Sequence, residues 1–538
     1  MKYLIPRLKF VGCMIAAGWL SSSIAQTEPT IELSISDLVT QSIQAFDTPG
    51  MSVAVVHQGE VVHLAGYGYR ELAGELPVTA ETYFRLASAS KAFTAASVAM
   101  LVDDGKLGWD DKVVDYLPEF RLQDPWVTSE FTIRDLLSHR SGLVGGAGDS
   151  MIWPEPSGFS REEVIHNLRY LTPEFSFRSN YGYSNVFYIT AAELVARVVG
   201  QPWEDYVAER IFQPLGMDCY AGDMPDSALS NRALGYGVRD GAFFDIPRNS
   251  INGKGQMSAA AGGLVCSAAD MSKWLQFLLQ QYQQSLAEST LFSRQQLLQM
   301  WSPNTFMNVT NRTQELYQTN FSAYGLGWRM QDMHGYKVVH HTGTLSGYQA
   351  YVALVPELEL GVVVLNNGSD SGARTAVVQS ILDAYLPVDE PRDWIAFLQQ
   401  ERQEREERLA QREPDLPVGT GEVLLPLSAY SGYFADRWFG DIDINETENG
   451  LRFRSERMVN KIGSMKPFAD HSFVIHWDNP NVAADTLIRF KLDASRQVTG
   501  FELLPHRVQV GARHAYRDMA FYKVGDEPPA AMQQSGDD

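Results

Sequence analysis

Cysteine is nearly absent: the 538-residue chain has three, Cys13, Cys219 and Cys266. That excludes a disulfide framework, so the fold has to rest on an apolar core, which a chain this long and 45% hydrophobic can build. For Cys219 and Cys266 a bond between them and simple burial as small hydrophobes both remain open. Long apolar runs are also lacking, since past the amino terminus no stretch reaches the roughly 18 residues of a membrane helix. Basic residues are outnumbered, 44 against 65 acidic, and the formal charge of -21 argues against a general polyanion-binding surface, so nucleic acid is not an expected partner. No HExxH, CxxC or phosphate-cradling glycine loop occurs, so neither a metal nor a cofactor is implied. A G-x-S-x-G elbow is missing as well, which removes one large class of hydrolase folds.

What is present begins with a leader. Lys2, Arg7 and Lys9 precede an apolar run from Phe10 to Leu20 and small residues ending at Ala25, the pattern of a secretory signal peptide over residues 1–25. The expected product is secreted or periplasmic after cleavage near Ala25, without a transmembrane anchor. From Pro49 the residues alternate around Gln58-Gly59 as a β-hairpin would. Helical spacing follows from Ala92 to Leu107, then in TIRDLLSH and in NVFYITAAELVARVVG, before strand patterning returns after Tyr324. This reads as an α+β domain over 26–390, an antiparallel sheet flanked by helices with a helical subdomain inserted between its first and last strands. Residues 391–418, rich in Glu, Arg and Gln, read as a solvated helical linker. Residues 419–526 alternate again, with an Asn449-Gly450 turn, and form a second, smaller all-β module of barrel type, its core expected to hold Tyr430, Tyr433, Trp438 and Phe439. The tail over 527–538 reads as disordered.

Three short motifs stand in order: Ser88-Ala89-Ser90-Lys91, Tyr183-Ser184-Asn185 and His341-Thr342-Gly343. Each alone is weak, and together they describe a reaction. A serine hydroxyl needs a base before it can attack a carbonyl. A lysine three residues on lies on the same helix face, and burial beside a helix N-terminus lowers its pKa towards that task. In their contexts (FRLASASKAFTA, TIRDLLSHRSGL, YGYSNVFY, AGGLVCSAADMSKWLQFLL, HHTGTLSGY) these motifs resemble the serine β-lactamase and penicillin-binding protein superfamily, nearest its class C-like branch, over roughly Ile31 to Leu386.

That resemblance implies Ser88 as nucleophile, Lys91 as its activating partner and Tyr183 as proton shuttle. It implies Asn185, His341, Thr342 and Gly343 as substrate-orienting groups, with the backbone N–H groups of Ser88 and Thr344 as oxyanion hole. Gly343 is expected to leave room for a substrate along its strand, and Gly347 to serve a turn or bulge. His341 departs from the pattern, because β-lactamases usually carry lysine there. Histidine is only partly charged at neutral pH, which turns the expectation from penicillins towards peptides, including D-amino-acid peptides, amides or esters. His340 should face away from His341 on its strand, and His139 should fix a turn. The alternatives are a class C-type β-lactamase and, in another class, a non-catalytic penicillin-binding-like binding protein. The small-molecule or peptide substrate and the oligomeric state stay open, as does a contribution of Trp153, Phe175 and Phe177 to the pocket.

Overall fold

The structure is a computed structural model that describes residues 34–222, 224–246, 257–284, 291–411, 419–479, 485–506 and 516–527. The expected leader and the tail from 528 lie outside the described residues. The predicted hairpin forms from β1 (Gly50–His57) and β2 (Glu60–Glu71). Gln58 and Gly59 both take positive φ, 52° and 82°, the handedness that suits the twist of the flanking strands. With β3 (Leu76–Pro77), β4 (Thr305–Met307), β5 (Ser322–Tyr324), β6 (Arg329–Met333), β7 (Tyr336–Leu345), β8 (Tyr348–Val355) and β9 (Leu360–Asn366), they make a nine-stranded antiparallel sheet in the order β3-β2-β1-β9-β8-β7-β6-β5-β4.

The first and last strands of the domain are therefore neighbours, with Met51 opposite Asn366 and His57 opposite Leu360. Because β1 is central, both its faces are buried and its apolar run is nearly unbroken. Val53 and Val55 pack towards α1 (Ile35–Ala45) and the helix over Gly372–Tyr385, whereas Ala54 and Val56 pack towards the opposite side of the sheet. That second side holds α2 (Lys91–Asp103), α3 (Val186–Val199) and α4 (Ala268–Gln283), and α5 (Gly372–Tyr385) covers the first. Helix α2 is buried on all sides, as its lack of a polar face requires. Cys219 and Cys266 form a disulfide, settling the question the sequence left open. Cys266 lies in the short strand that pairs with Phe84–Arg85, so the bond braces the chain just ahead of Ser88.

Helix α6 (Trp394–Gln411) occupies the expected linker, but it is not simply solvated. Its first turns carry Trp394, 2% exposed, whose indole N–H donates to Asp383 at 2.7 Å, and Ile395, Phe397 and Leu398 join the α1/α5 cluster. Only its second half is a charged surface helix. Beyond it, β10 (Gly432–Asp436), β11 (Gly440–Thr447), β12 (Gly450–Ser455), β13 (Ile462–Ala469), β14 (Ser472–Trp477), β15 (Thr486–Leu492), β16 (Val498–Pro505) and β17 (Phe521–Gly525) close into an eight-stranded barrel. Phe434, Phe453, Phe473, Phe490, Phe501 and Phe521 fill its interior. Tyr430, Trp438 and Phe439 are buried as expected. Tyr433 is not part of that core, because it alternates with the inward-facing Phe434 and is only partly buried.

Candidate active site

Ser88 sits in a single 3-10 turn, Ala87–Ser90, that runs straight into α2, so Ser88 and Lys91 share the helix start. Ala87 takes a φ of 48°, a left-handed conformation that costs a non-glycine residue energy and aims the turn at the cleft. Lys91 is fully buried, and its ammonium has three oxygen neighbours. It donates to the Asn185 side-chain oxygen at 2.7 Å, to the Ala261 carbonyl at 2.6 Å and to Ser88 Oγ at 3.5 Å. Burial lowers its pKa to about 7, with Asp149 pulling it up and Arg329 pushing it further down. A lysine of that pKa is neutral in a useful fraction of molecules at pH 7 and can accept the serine proton.

The second motif arrives on the loop before α3. Asn185 leads into that helix, and its amide is held at both ends, by Lys91 at the oxygen and by Asp149 at the nitrogen, 2.9 Å. The Tyr183 ring lies 4.8 Å from the Lys91 nitrogen. Burial holds its phenol well above the usual range, and the neighbouring Ser88 hydroxyl and Arg329 oppose that shift. Its Oη is buried without a well-formed hydrogen bond among the described residues. His139 does fix a turn: it ends its helix in the left-handed conformation and accepts the Ser184 backbone N–H at 3.1 Å, its ring tilted against Tyr183.

The third motif lies on β7. His341 is 1% exposed, and its pKa is driven well below the ordinary value, first by burial and then by Arg329. Its Nδ1 faces the Thr342 carbonyl at 2.8 Å and its Nε2 faces Tyr324 Oη at 3.0 Å, an arrangement that the neutral tautomer with Nδ1 protonated satisfies. The sequence suggested a partly charged group; the structure gives a neutral one. His340 points to the other face against Tyr351, as strand alternation requires. Among the described residues no group of His, Cys, Asp and Glu is arranged to hold a metal.

Gly343 has a role the sequence did not suggest. A Cβ there would collide with the Leu86 carbonyl and crowd Ala87, so the chain that carries Ser88, and not a substrate, takes up the space a side chain would need. The close approach brings Thr344 of β7 beside the Ser88 turn. Gly347, at φ 77°, makes the β7–β8 turn. Phe175 and Phe177 line a separate cavity with Leu122, Val127, Leu143 and Leu171. Asp149 and Arg329 were missed by sequence reasoning. Asp149, in the glycine-rich loop after His139, has a carboxyl raised by burial to about 6, and Arg329 begins β6, outside the three motifs.

A partly exposed serine beside a buried lysine, with a tyrosine ring 4.8 Å from that lysine and an asparagine between lysine and carboxylate, lies against an antiparallel sheet, the arrangement of a β-lactamase-fold serine hydrolase. The Beta-lactamase family model matches residues 35–386, and the chain belongs to that family. Residues 422–521 match a second model, a domain of unknown function, DUF3471. An unguisins hydrolase of Aspergillus campestris is 30% identical over 434 residues, 76% of this chain and 78% of that one. Protein flp of Staphylococcus aureus is 24% identical over 62% of each chain. The octameric penicillin-binding protein homologue from Pyrococcus abyssi superposes over 91% of this chain and 99% of its own with a TM-score of 0.57 and 19% identity. A class C β-lactamase from Rhodobacter sphaeroides covers 65% of this chain and 99% of its own, with a TM-score of 0.51 and 23% identity.

Proposed function

We propose that the protein is an exported hydrolase that cleaves a peptide, amide or ester bond through an acyl-enzyme on Ser88. The observation that carries this reading is the fully buried Lys91, 3.5 Å from Ser88 Oγ with its pKa lowered to about 7. Neutral Lys91 takes the Ser88 proton as Oγ attacks the acyl carbonyl, and the oxyanion is held by the backbone N–H groups of Ser88 and Thr344. The proton then passes by way of Tyr183 Oη to the leaving nitrogen or oxygen, which departs. Water, deprotonated by the same groups, attacks the ester and returns free Ser88.

The unguisins hydrolase supports hydrolysis as the outcome. The neutral His341, standing where β-lactamases usually carry lysine, favours peptide and ester substrates over penicillins. The disulfide suits an oxidising compartment and so supports export. The test is acylation and turnover on nitrocefin, p-nitrophenyl esters and D- and L-aminoacyl anilides, for wild type against Ser88→Ala. Wild type is expected to turn over one of the latter classes and to gain an acyl mass that the variant lacks. Identical behaviour of the two proteins, with no labelling of either, would mean a binding protein that only keeps the fold.

A further inference from the structure

An apolar pocket stands apart from the groups that the Ser88 mechanism uses. It has a volume of about 130 Å³ and is walled by Leu122, Val127, Leu143, Leu171, Phe175 and Phe177. Leu143 and Leu171, 4% and 1% exposed, make its floor, while Phe175, 37% exposed, stands at its mouth. Trp126, on the helix Pro125–Glu130, is 64% exposed and meets Phe177 edge-on with ring centres 6.2 Å apart. Phe177 itself is held in place, stacked on Phe131 at 5.5 Å with the Arg178 guanidinium carbon 4.4 Å from its ring. The pocket is therefore built before any ligand arrives.

Size, charge and place say what fits it. A cavity of about 150 Å³ lined by Leu, Ile and Phe takes up benzene, so this space suits a single ring. Among the described residues Asp124 is the only charged side chain in the wall, and one of its carboxylate oxygens accepts the Trp126 and Val127 backbone N–H groups. No cation lines the pocket, so the ring it takes is neutral. As to place, the Gly142 carbonyl accepts the Glu174 and Phe175 N–H groups at 2.9 and 3.0 Å, and further along the same two segments the Gly146 N–H donates to the Tyr183 carbonyl at 2.8 Å. The Leu143 carbonyl fills the space beside Gly182. One pair of chains thus carries both the pocket wall and Tyr183, whose ring lies 4.8 Å from the Lys91 nitrogen. An extended peptide advances about 3.3 Å per residue, so a side chain a few residues from a bond held at Ser88 comes within reach of the pocket.

We propose that this pocket is a specificity subsite for one neutral aromatic side chain of a peptide substrate, a few residues from the scissile bond. The inference rests on the Ser88 reading and narrows its substrate class to peptides that carry an aromatic residue. The ring supplies affinity by leaving water for an apolar wall that already contains two phenylalanines.

Peptide binding to Ser88→Ala, measured by calorimetry, tests the subsite without turnover. The probes are acetylated, amidated alanine hexapeptides with one Phe at each position in turn, against the all-alanine peptide. At the best position Phe is expected to tighten Kd by about tenfold or more. A 4-carboxyphenylalanine in the same place should lose that gain, because its charge would enter an apolar pocket that offers no cation. Val127→Trp, which fills the pocket, and Phe175→Ala, which removes its mouth at an exposed position, should each bring the Phe peptide back towards the all-alanine value. No gain at any position would overturn the proposal, and so would a gain that both variants leave intact, since the ring would then lie elsewhere. Burst acylation by p-nitrophenyl acetate, compared between wild type and Ser88→Ala, reports separately on the Ser88 reading. A burst without a Phe gain removes only the subsite; a Phe gain without a burst keeps the pocket as a peptide site and removes the hydrolase.

Discussion

At the scale of single residues the site is a short chain of hydrogen bonds, Ser88 to Lys91 to Asn185 to Asp149, in which the shifts of Lys91 and Asp149 follow from burial opposed by a neighbour. Lys91 falls to about 7 and Asp149 rises to about 6, so each is brought towards the working pH by the same dry environment. In the proposed mechanism the base is the neutral lysine, and activity is therefore expected to rise as pH increases through about 7. Asp149 acts on Lys91 by charge, holding the ammonium form. Asp149→Asn removes that charge while its side-chain oxygen can still accept from Asn185, so the acid limb of the kcat/KM profile should move to lower pH. A profile that stays in place, measured between pH 5 and 9, would mean that Asp149 does not govern Lys91.

At the scale of elements the closest fit is between β7 and the turn that carries Ser88. Gly343→Ala should push Leu86 and Ala87 away, costing about 1–3 kcal/mol as small-to-large changes in packed regions do. It should also lower kcat/KM by more than about tenfold, because the nucleophile moves with them. Thermal melting and turnover read the two effects; a variant that melts and reacts like wild type would show that the contact relaxes freely. Elements were where the sequence was most legible. The Gln58-Gly59 hairpin, the helix after Ser88 and the buried strands β8 and β9 follow from turn chemistry and from hydrophobic period. Ser88, Lys91, Tyr183, Asn185 and His341 are legible as candidates because their spacing is a motif. Asp149 and Arg329 belong to no motif, and their meaning depends on which distant ring or amide they meet, a fact that only the packed chain contains. Tyr433 and the first turns of α6 were misjudged for a related reason: composition shows that a segment can be buried or solvated, and register decides which residues are.

At the scale of the whole molecule the barrel leans on the connection between His139 and Tyr183 that carries Asp149. The Gly158 N–H donates to the Arg457 carbonyl at 2.8 Å, and Arg457 reaches back to the Gly158 carbonyl, to Glu163 and over the Phe159 ring. Asn460 of the same barrel loop donates to the Glu155 carbonyl, while the Glu155 carboxylate holds Arg85, which precedes Ser88 in the chain, and Ser258, which precedes the Ala261 carbonyl that Lys91 meets. Asn167 adds a bond of 2.9 Å to the Trp438 carbonyl, and Arg517 an ion pair of 2.9 Å to Glu174. The exposed ion pairs add little to stability by themselves. The buried Asn167–Trp438 bond, with the backbone and amide bonds nearer the surface, ties the barrel to this connection, so the two domains should unfold together, giving one calorimetric transition in wild type. In the double variant Arg457→Ala and Asn460→Ala the barrel should release and the transition should split. Turnover should fall about 3- to 10-fold as the Glu155–Arg85 pair loses its outer support. A single unchanged transition with unchanged kcat/KM would mean that the links the double variant leaves in place, from Gly158 to the residue 457 carbonyl, from Asn167 to Trp438 and from Arg517 to Glu174, hold the barrel together with the apolar contacts around Phe159 and Phe439.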